Sequence, residues 1–216
     1  MSEDVKARRR YDSSRRREQA RRTRELLMDT AQRQFLRVGY AATTVGGIAA
    51  EAGVSVETVY KSFGGKSGLV RAIYDRGVLG AGQVAAYERS DEMRERETDP
   101  RVIMRQWGVL TTEVASVLTP IRLRMRAAAA TDPEMAALLA DSDNERLTRM
   151  QHHARFLAER GYLRDGVTVA RAADVLWTCS SAEFYELLVL NRGWSPAEFA
   201  RFVADFMIDA LLPPPG

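Results

Sequence analysis

Ser55, Val56, Glu57, Thr58 and Lys61 stand within one short stretch that combines hydroxyls, a carboxylate, an ammonium and a β-branched aliphatic side chain. Spaced along one helix, such groups can read base edges in a DNA major groove. Val56 suits a thymine methyl, Lys61 a guanine edge and Glu57 a cytosine amino group. A carboxylate near phosphates is repelled unless it finds a donor, so a second role stays open to Glu57, as a favourable charge at a helix start.

The flanking residues say which elements position this set. Thr44 is a good cap for a helix with Val45, Ile48, Ala49 and Ala52 on one side. Gly53 then tolerates the positive φ that a tight turn needs. Ser55 can cap a second helix whose Val56 and Val59 face the first, with Glu57, Thr58, Tyr60 and Lys61 outward. The pattern over 44–63 is a helix-turn-helix, and Ala52, Val54, Val59 and Phe63 read as its core.

Thr43-Thr44-Val45, Ile48-Ala49, Ala52-Gly53-Val54-Ser55, Thr58-Val59-Tyr60, Phe63 and Lys66 together resemble the amino-terminal domain of the TetR family of bacterial transcriptional regulators. The resemblance runs from about Arg21 to Tyr74 in one register. It implies DNA-backbone contacts for Thr44, Tyr60 and Lys66, and a hydroxyl or ammonium beside free helix N–H groups suits a phosphate. Two departures stand out. Gly46-Gly47 occupies the first motif helix at ~1 kcal/mol of helix propensity each, and Gly64-Gly65 precedes Lys66 where a stiffer turn is usual.

Charge points the same way. Residues 1–24 hold ten Lys/Arg against four acids; from totals of 32 and 29, that leaves 22 basic and 25 acidic residues for 25–216. A basic arm (1–20) beside the motif fits a polyanion met at one end of the chain. The arm either enters the minor groove or is a solubilising tail. No run of ~18 apolar residues suggests a membrane span, and no apolar stretch follows the charged start, as a secretory signal would require. Cys179 is the only cysteine, which excludes an internal disulfide and favours a cytoplasmic setting.

Nearly everything else reads as helix, giving an all-α expectation. A three-helix DNA-binding domain (21–66) begins with a helix over about Arg21–Val38, with Leu27, Ala31 and Phe35 on one face and Gly39 to end it. A connecting helix and linker (67–98) follow: the helix runs from Lys66 toward Tyr87, weakened by Gly77, Gly80 and Gly82, and the linker is the polar stretch Arg89–Asp99. A larger ligand-binding and dimerisation domain (99–216) has helix starts at Asp99-Pro100, Thr119-Pro120, Asp132-Pro133 and Ser195-Pro196, each pairing a capping side chain with proline. Glu198 adds a capping box to the last.

The final two helices, about Thr168–Leu190 and Ser195–Leu212, resemble the family's dimer-forming pair. Leu176, Phe184, Leu187, Leu188, Phe199, Phe202, Val203 and Phe206 are the interface candidates, in a four-helix bundle between two chains. The resemblance also implies a ligand pocket in this domain, for which Trp107, Thr111, Met125, His153 and Trp177 are candidates. Large apolar side chains there suit a small hydrophobic or aromatic effector. His152 and His153 point about 100° apart on a helix, which disfavours a shared metal. No nucleophile–base motif is present, so no catalysis and no cofactor are expected. The expected function is a DNA-binding repressor that grips a palindromic operator as a homodimer and is released by an effector. An activator, or an architectural DNA-binding protein without a ligand, is the alternative.

Overall fold

The computed structural model describes residues 3–80 and 84–215, with backbone alone for 3–13. The chain is all-α, with no strand among the described residues. It forms two compact units, one ending at Ile73 and the other beginning at Tyr74.

The first unit contains α1 (Glu3–Ala42), α2 (Val45–Ala52), α3 (Val56–Phe63) and the first part of α4 (Lys66–Val78). Leu27, Ala31 and Phe35 of α1 are buried with Ile48, Ala49, Val59, Leu69, Val70 and Ile73, so the four-residue spacing on α1 delivers the core expected of it. The backbone of α1 leaves helical geometry at Gly39 (φ 84°, ψ 168°), which a residue with a Cβ would resist. Its start differs from the expected Arg21: the backbone is helical from Glu3. Ion pairs one helical turn apart suit that extension, Glu18 with Arg21 and Arg22, and Arg21 with Glu25. Of the arm over 1–20, residues 1 and 2 and the side chains up to 13 lie outside the described residues.

The second unit holds the end of α4, α5 (Ala86–Arg96), α6 (Pro100–Ala129), α7 (Pro133–Glu159), α8 (Val169–Cys179), α9 (Ala182–Tyr185), a π-helical turn over Glu186–Asn191 and α10 (Pro196–Leu211). Its core joins Ile103, Met104 and Trp107 of α6 to Leu157, Leu176, Phe199, Val203 and Leu211. α6 lies close along α10 at Gly108, where a Cβ would stand 2.5 Å from the Ala200 carbonyl oxygen. Cys179 is buried there, and desolvation pushes its thiol up to about 12.

Asp99, Asp132 and Ser195 cap their helices ahead of proline, and Glu198 closes the capping box, donation to its carboxylate coming from the Ser195 N–H at 2.8 Å. Thr119-Pro120 is a correction: Pro120 sits inside α6 and starts no helix. The buried stripe of Leu118, Ile121 and Met125 carries the helix through despite the missing N–H. The linker expected over Arg89–Asp99 is also corrected, because α5 covers most of it. Its polar side chains are spent on partners in the same unit: Arg89 pairs with Glu113, and Ser90 accepts from Trp107 Nε1 at 2.9 Å. α4 stops at Val78, short of Tyr87.

The helix expected over Thr168–Leu190 is broken as well. Thr168 caps α8, and after Ser180 the Ser181 hydroxyl caps α9 by accepting from Phe184 N. Three interface candidates are overturned by this packing. Leu176, Phe199 and Val203 are 2%, 0% and 0% exposed inside one chain, covered by their own unit and out of reach of a partner. Phe184, Leu188 and Phe202 are half-buried, while Leu187 and Phe206 are exposed.

Candidate nucleic-acid interface and effector cavity

The helix-turn-helix is built by two hydroxyl caps and a glycine turn. Thr44, with extended backbone, accepts from Gly47 N at 3.0 Å and starts α2. At its end Gly53 adopts φ 66°, and Val54 N reaches back to the Ala49 carbonyl at 3.0 Å. Ser55 Oγ accepts from Thr58 N at 3.2 Å and lies 2.9 Å from Thr58 Oγ1, so α3 begins with two hydroxyls engaged with each other.

Beyond those caps, α3 presents Val56, Glu57, Tyr60 and Lys61 to solvent, while Thr58 is half-buried and Val59 fully buried. Val56 is 44% exposed and Tyr60 54%. Val56 therefore does not face α2 as its apolar type suggested; it stands on the open face, as contact with a thymine methyl requires. Thr44 is also exposed, at the amino-terminal end of α2 where N–H groups attract anions.

Side chains of α1 lock the pair in place. Gln34 Nε2 donates to the Gly47 carbonyl at 3.2 Å and to Glu51 at 2.7 Å, and Arg33 donates to Glu51 at 3.2 Å. Hydrogen bonds from Gln34, then Arg33, hold the Glu51 carboxyl below its usual range. Arg24 donates to the Ser62 carbonyl at 2.7 Å with its guanidinium 4.2 Å from the Phe63 ring. These positioning residues are missed by sequence reasoning, because Arg24, Arg33 and Gln34 on a charged helix look like a solvated face.

Lys66 departs from the role the resemblance implies. Its ammonium donates to the carbonyls of Tyr40 (3.0 Å) and Thr43 (3.2 Å) and sits 4.0 Å from the Tyr40 ring centroid. It closes the corner between α1 and α2 directly before the Thr44 cap, and so acts here as a positioning group.

The second unit encloses a cavity of about 360 Å³ between α4, α5, α6 and α7, with Leu176 and Met207 completing the wall. Of the candidate pocket residues, Trp107, Thr111 and His153 line it. Met125 and Trp177 do not: Met125 is buried core, and Trp177 is stacked under the Arg146 guanidinium at 4.4 Å. His153 packs on Trp107 with ring centroids 4.5 Å apart. Desolvation, then the charges of Arg94 and Arg149, push its imidazole down to about 3, so it is neutral at physiological pH. His152 contacts Arg94, and its ring centroid lies 6.1 Å from that of His153. Lining residues invisible to the sequence reading include Tyr74, Arg122, Arg146 and Arg149. Arginines on amphipathic helices read as solvent-facing, and only the nearby acids Asp91 and Asp143, which pair with them, hint at burial.

Comparison with known proteins agrees with this architecture. Residues 27–73 match the family model described as bacterial regulatory proteins, tetR family. No curated protein matches the chain. Among solved structures, a SmeT–triclosan complex is 23% identical over 88% of this chain and 92% of its own, with TM-score 0.70. NalD, the secondary repressor of the MexAB-OprM multidrug efflux pump in Pseudomonas aeruginosa, is 20% identical, covers 90% and 98%, and has TM-score 0.69. The fatty acid degradation regulator FadR from Bacillus halodurans is 15% identical, covers 86% and 94%, and has TM-score 0.69. At these identities the structural likeness establishes the fold alone. No helix of the described residues is long and apolar enough to cross a membrane.

Proposed function

We propose, on the premise that the chain belongs to the TetR family of DNA-binding transcriptional regulators, that it is a cytoplasmic repressor which binds a palindromic operator as a homodimer and is released by a small effector. The observation that carries the DNA-binding part is the open face of α3, where Val56 and Tyr60 are exposed beside Glu57 and Lys61. Apolar and aromatic groups left in water at the outer face of a reading helix gain a purpose when base edges cover them. Thr44 and Tyr60 serve the phosphates in this reading, and Ser55, Val56, Glu57, Thr58 and Lys61 the bases.

Dimerisation is supported by a patch on the last elements of the chain. Leu187 (57% exposed), Leu190 (49%) and Phe206 (41%) stand open, and Phe206 adjoins Phe202 and Phe184 at centroid distances of 6.3 and 6.4 Å. A second copy covers such a patch with the same residues, as a two-fold interface requires. Two heads then engage two half-sites.

Release by an effector is supported by α4. The helix begins with Lys66, which holds the corner before the α2 cap, and ends with Tyr74 and Val78, which line the cavity. A ligand that displaces Tyr74 and Val78 acts on the helix that anchors that corner, and lowers operator affinity to the extent that it binds the displaced state better. SmeT is known with triclosan bound, and a cavity of this size suits a molecule of comparable dimensions. In a purified transcription system, the protein should silence a promoter that overlaps its operator, and a cavity ligand should restore transcript. Transcript that rises on adding protein would identify an activator instead.

A further inference from the structure

We infer, resting on the reading of this cavity as the effector site, that its occupant is an amphipathic organic anion: an aromatic or alkyl body carrying one carboxylate placed beside Arg146. The wall is largely apolar, with Tyr74, Leu110, Val114 and Leu118 among its residues, which sets the character of the body. The charged part of the wall is uneven. Arg122, Arg146 and Arg149 line it, and among the described lining residues Glu145 is the only acid.

The acids behind the wall do not restore the balance. Asp143 is shared by two guanidiniums, at 2.7 Å from Arg122 and 3.3 Å from Arg146. Asp91 is likewise shared, at 3.3 Å from Arg94 and 3.2 Å from Arg149. Four guanidiniums thus share Asp91 and Asp143, and neutral His153 adds no charge of its own.

Arg94 and Arg146 each have one long carboxylate contact and one buried nitrogen without a partner, and of these two Arg146 lines the cavity. Its Nη1 donates to the Trp177 carbonyl and to Ser180 Oγ, and its one carboxylate contact, from Nη2, is the long one to Asp143. Its buried Nε has no acceptor among the described residues. A buried cation with a donor unmatched is costly, and an acceptor anion removes that cost. A cationic ligand would instead enter beside three guanidiniums, and a neutral one offers at most an acceptor oxygen, without the charge that makes a hydrogen bond from a guanidinium strong. Thr119 and His153, which also line the cavity, carry further buried polar atoms without partners, so the anion meets a wall with hydrogen-bonding capacity in hand.

The test is a calorimetric panel at neutral pH on the full chain, in which aryl and alkyl bodies of up to roughly 15 heavy atoms, a size within the ordinary range for such a pocket, are each presented as carboxylate, primary amide and primary amine. The expected result is that carboxylates bind at least tenfold more tightly than their matched amides and amines. In Arg146→Met that preference should vanish while the amides still bind; should this variant fail to fold, the panel on the parent chain decides alone. Amides or amines equal to their carboxylates would overturn the anion inference while leaving the cavity as an effector site. A panel in which nothing binds would overturn both.

Discussion

Gly68→Ala should weaken DNA binding by destabilising the amino-terminal unit, at a cost of about 3 kcal/mol, the upper end of the range for forcing extra atoms into a closed packing site. The chain turns so tightly between α3 and α4 that a Cβ on Gly68 would stand 2.9 Å from the Phe63 carbonyl carbon, with the carbonyl oxygen nearer still. The obstacle is backbone, so no side-chain rotation relieves it. Moving α4 away would draw Leu69, Val70 and Ile73 from the core and pull the Lys66 ammonium from the Tyr40 and Thr43 carbonyls. Gly46→Ala is the control. A Cβ there meets nothing within 4 Å inside α2, and removal of a helical glycine should add up to ~1 kcal/mol. Urea denaturation of the two variants measures both signs; a Gly68→Ala protein as stable as its parent would contradict the packing described.

Leu187→Glu combined with Phe206→Glu should yield a folded monomer at micromolar concentration, by sedimentation, where the parent should sediment as a dimer. Both side chains are exposed in the single chain, at 57% and 41%, so the substitutions should cost little in folding. They would place four carboxylates in one two-fold apolar interface, where unpaired buried charge is strongly disfavoured. Phe199→Ala makes the opposite case. That ring is wholly buried and stacks edge-on against Tyr185 at 5.1 Å, so its removal should destabilise the chain by about 3–5 kcal/mol. If the double variant sediments as the parent does, the apolar patch is not the interface.

These results bear on what a single sequence discloses. The helix-turn-helix was legible because its information is local: Thr44 and Ser55 cap within three residues, and Gly53 makes its turn alone. Prolines after Asp99, Asp132 and Ser195 marked helix starts for the same reason. Pro120 misled because burial of its neighbours, a tertiary fact, outweighs a local signal. The stretch after Arg89 looked like a linker because its polar side chains are paid for by partners far along the chain, Glu113 and Trp107.

The same distinction governs the two sites. Glu57, Tyr60 and Lys61 could be placed on the exposed side of α3 from type and spacing, since a helix surface follows from its period, whereas Val56 was misplaced by its apolar type. Lys66 could not, because its role depends on carbonyls at Tyr40 and Thr43 more than twenty residues earlier. On the last elements, periodicity marked an apolar circumference but not which part of it the chain itself covers, so Phe199 and Phe206 looked alike. Arg122 was unreadable as a cavity residue because Ser142 and Asp143 become its partners only after α6 and α7 pack together, and Arg146 because Trp177 and Ser180 lie more than thirty residues further on.

The central claim, that two copies of this α3 read one duplex in two-fold symmetry, is tested most directly by selecting bound sequences from a random DNA pool at fixed, near-physiological salt. The account predicts an inverted repeat whose half-sites are spaced by about one helical turn or a multiple of it. Recovery of a single asymmetric motif, or of no motif at all, would contradict it.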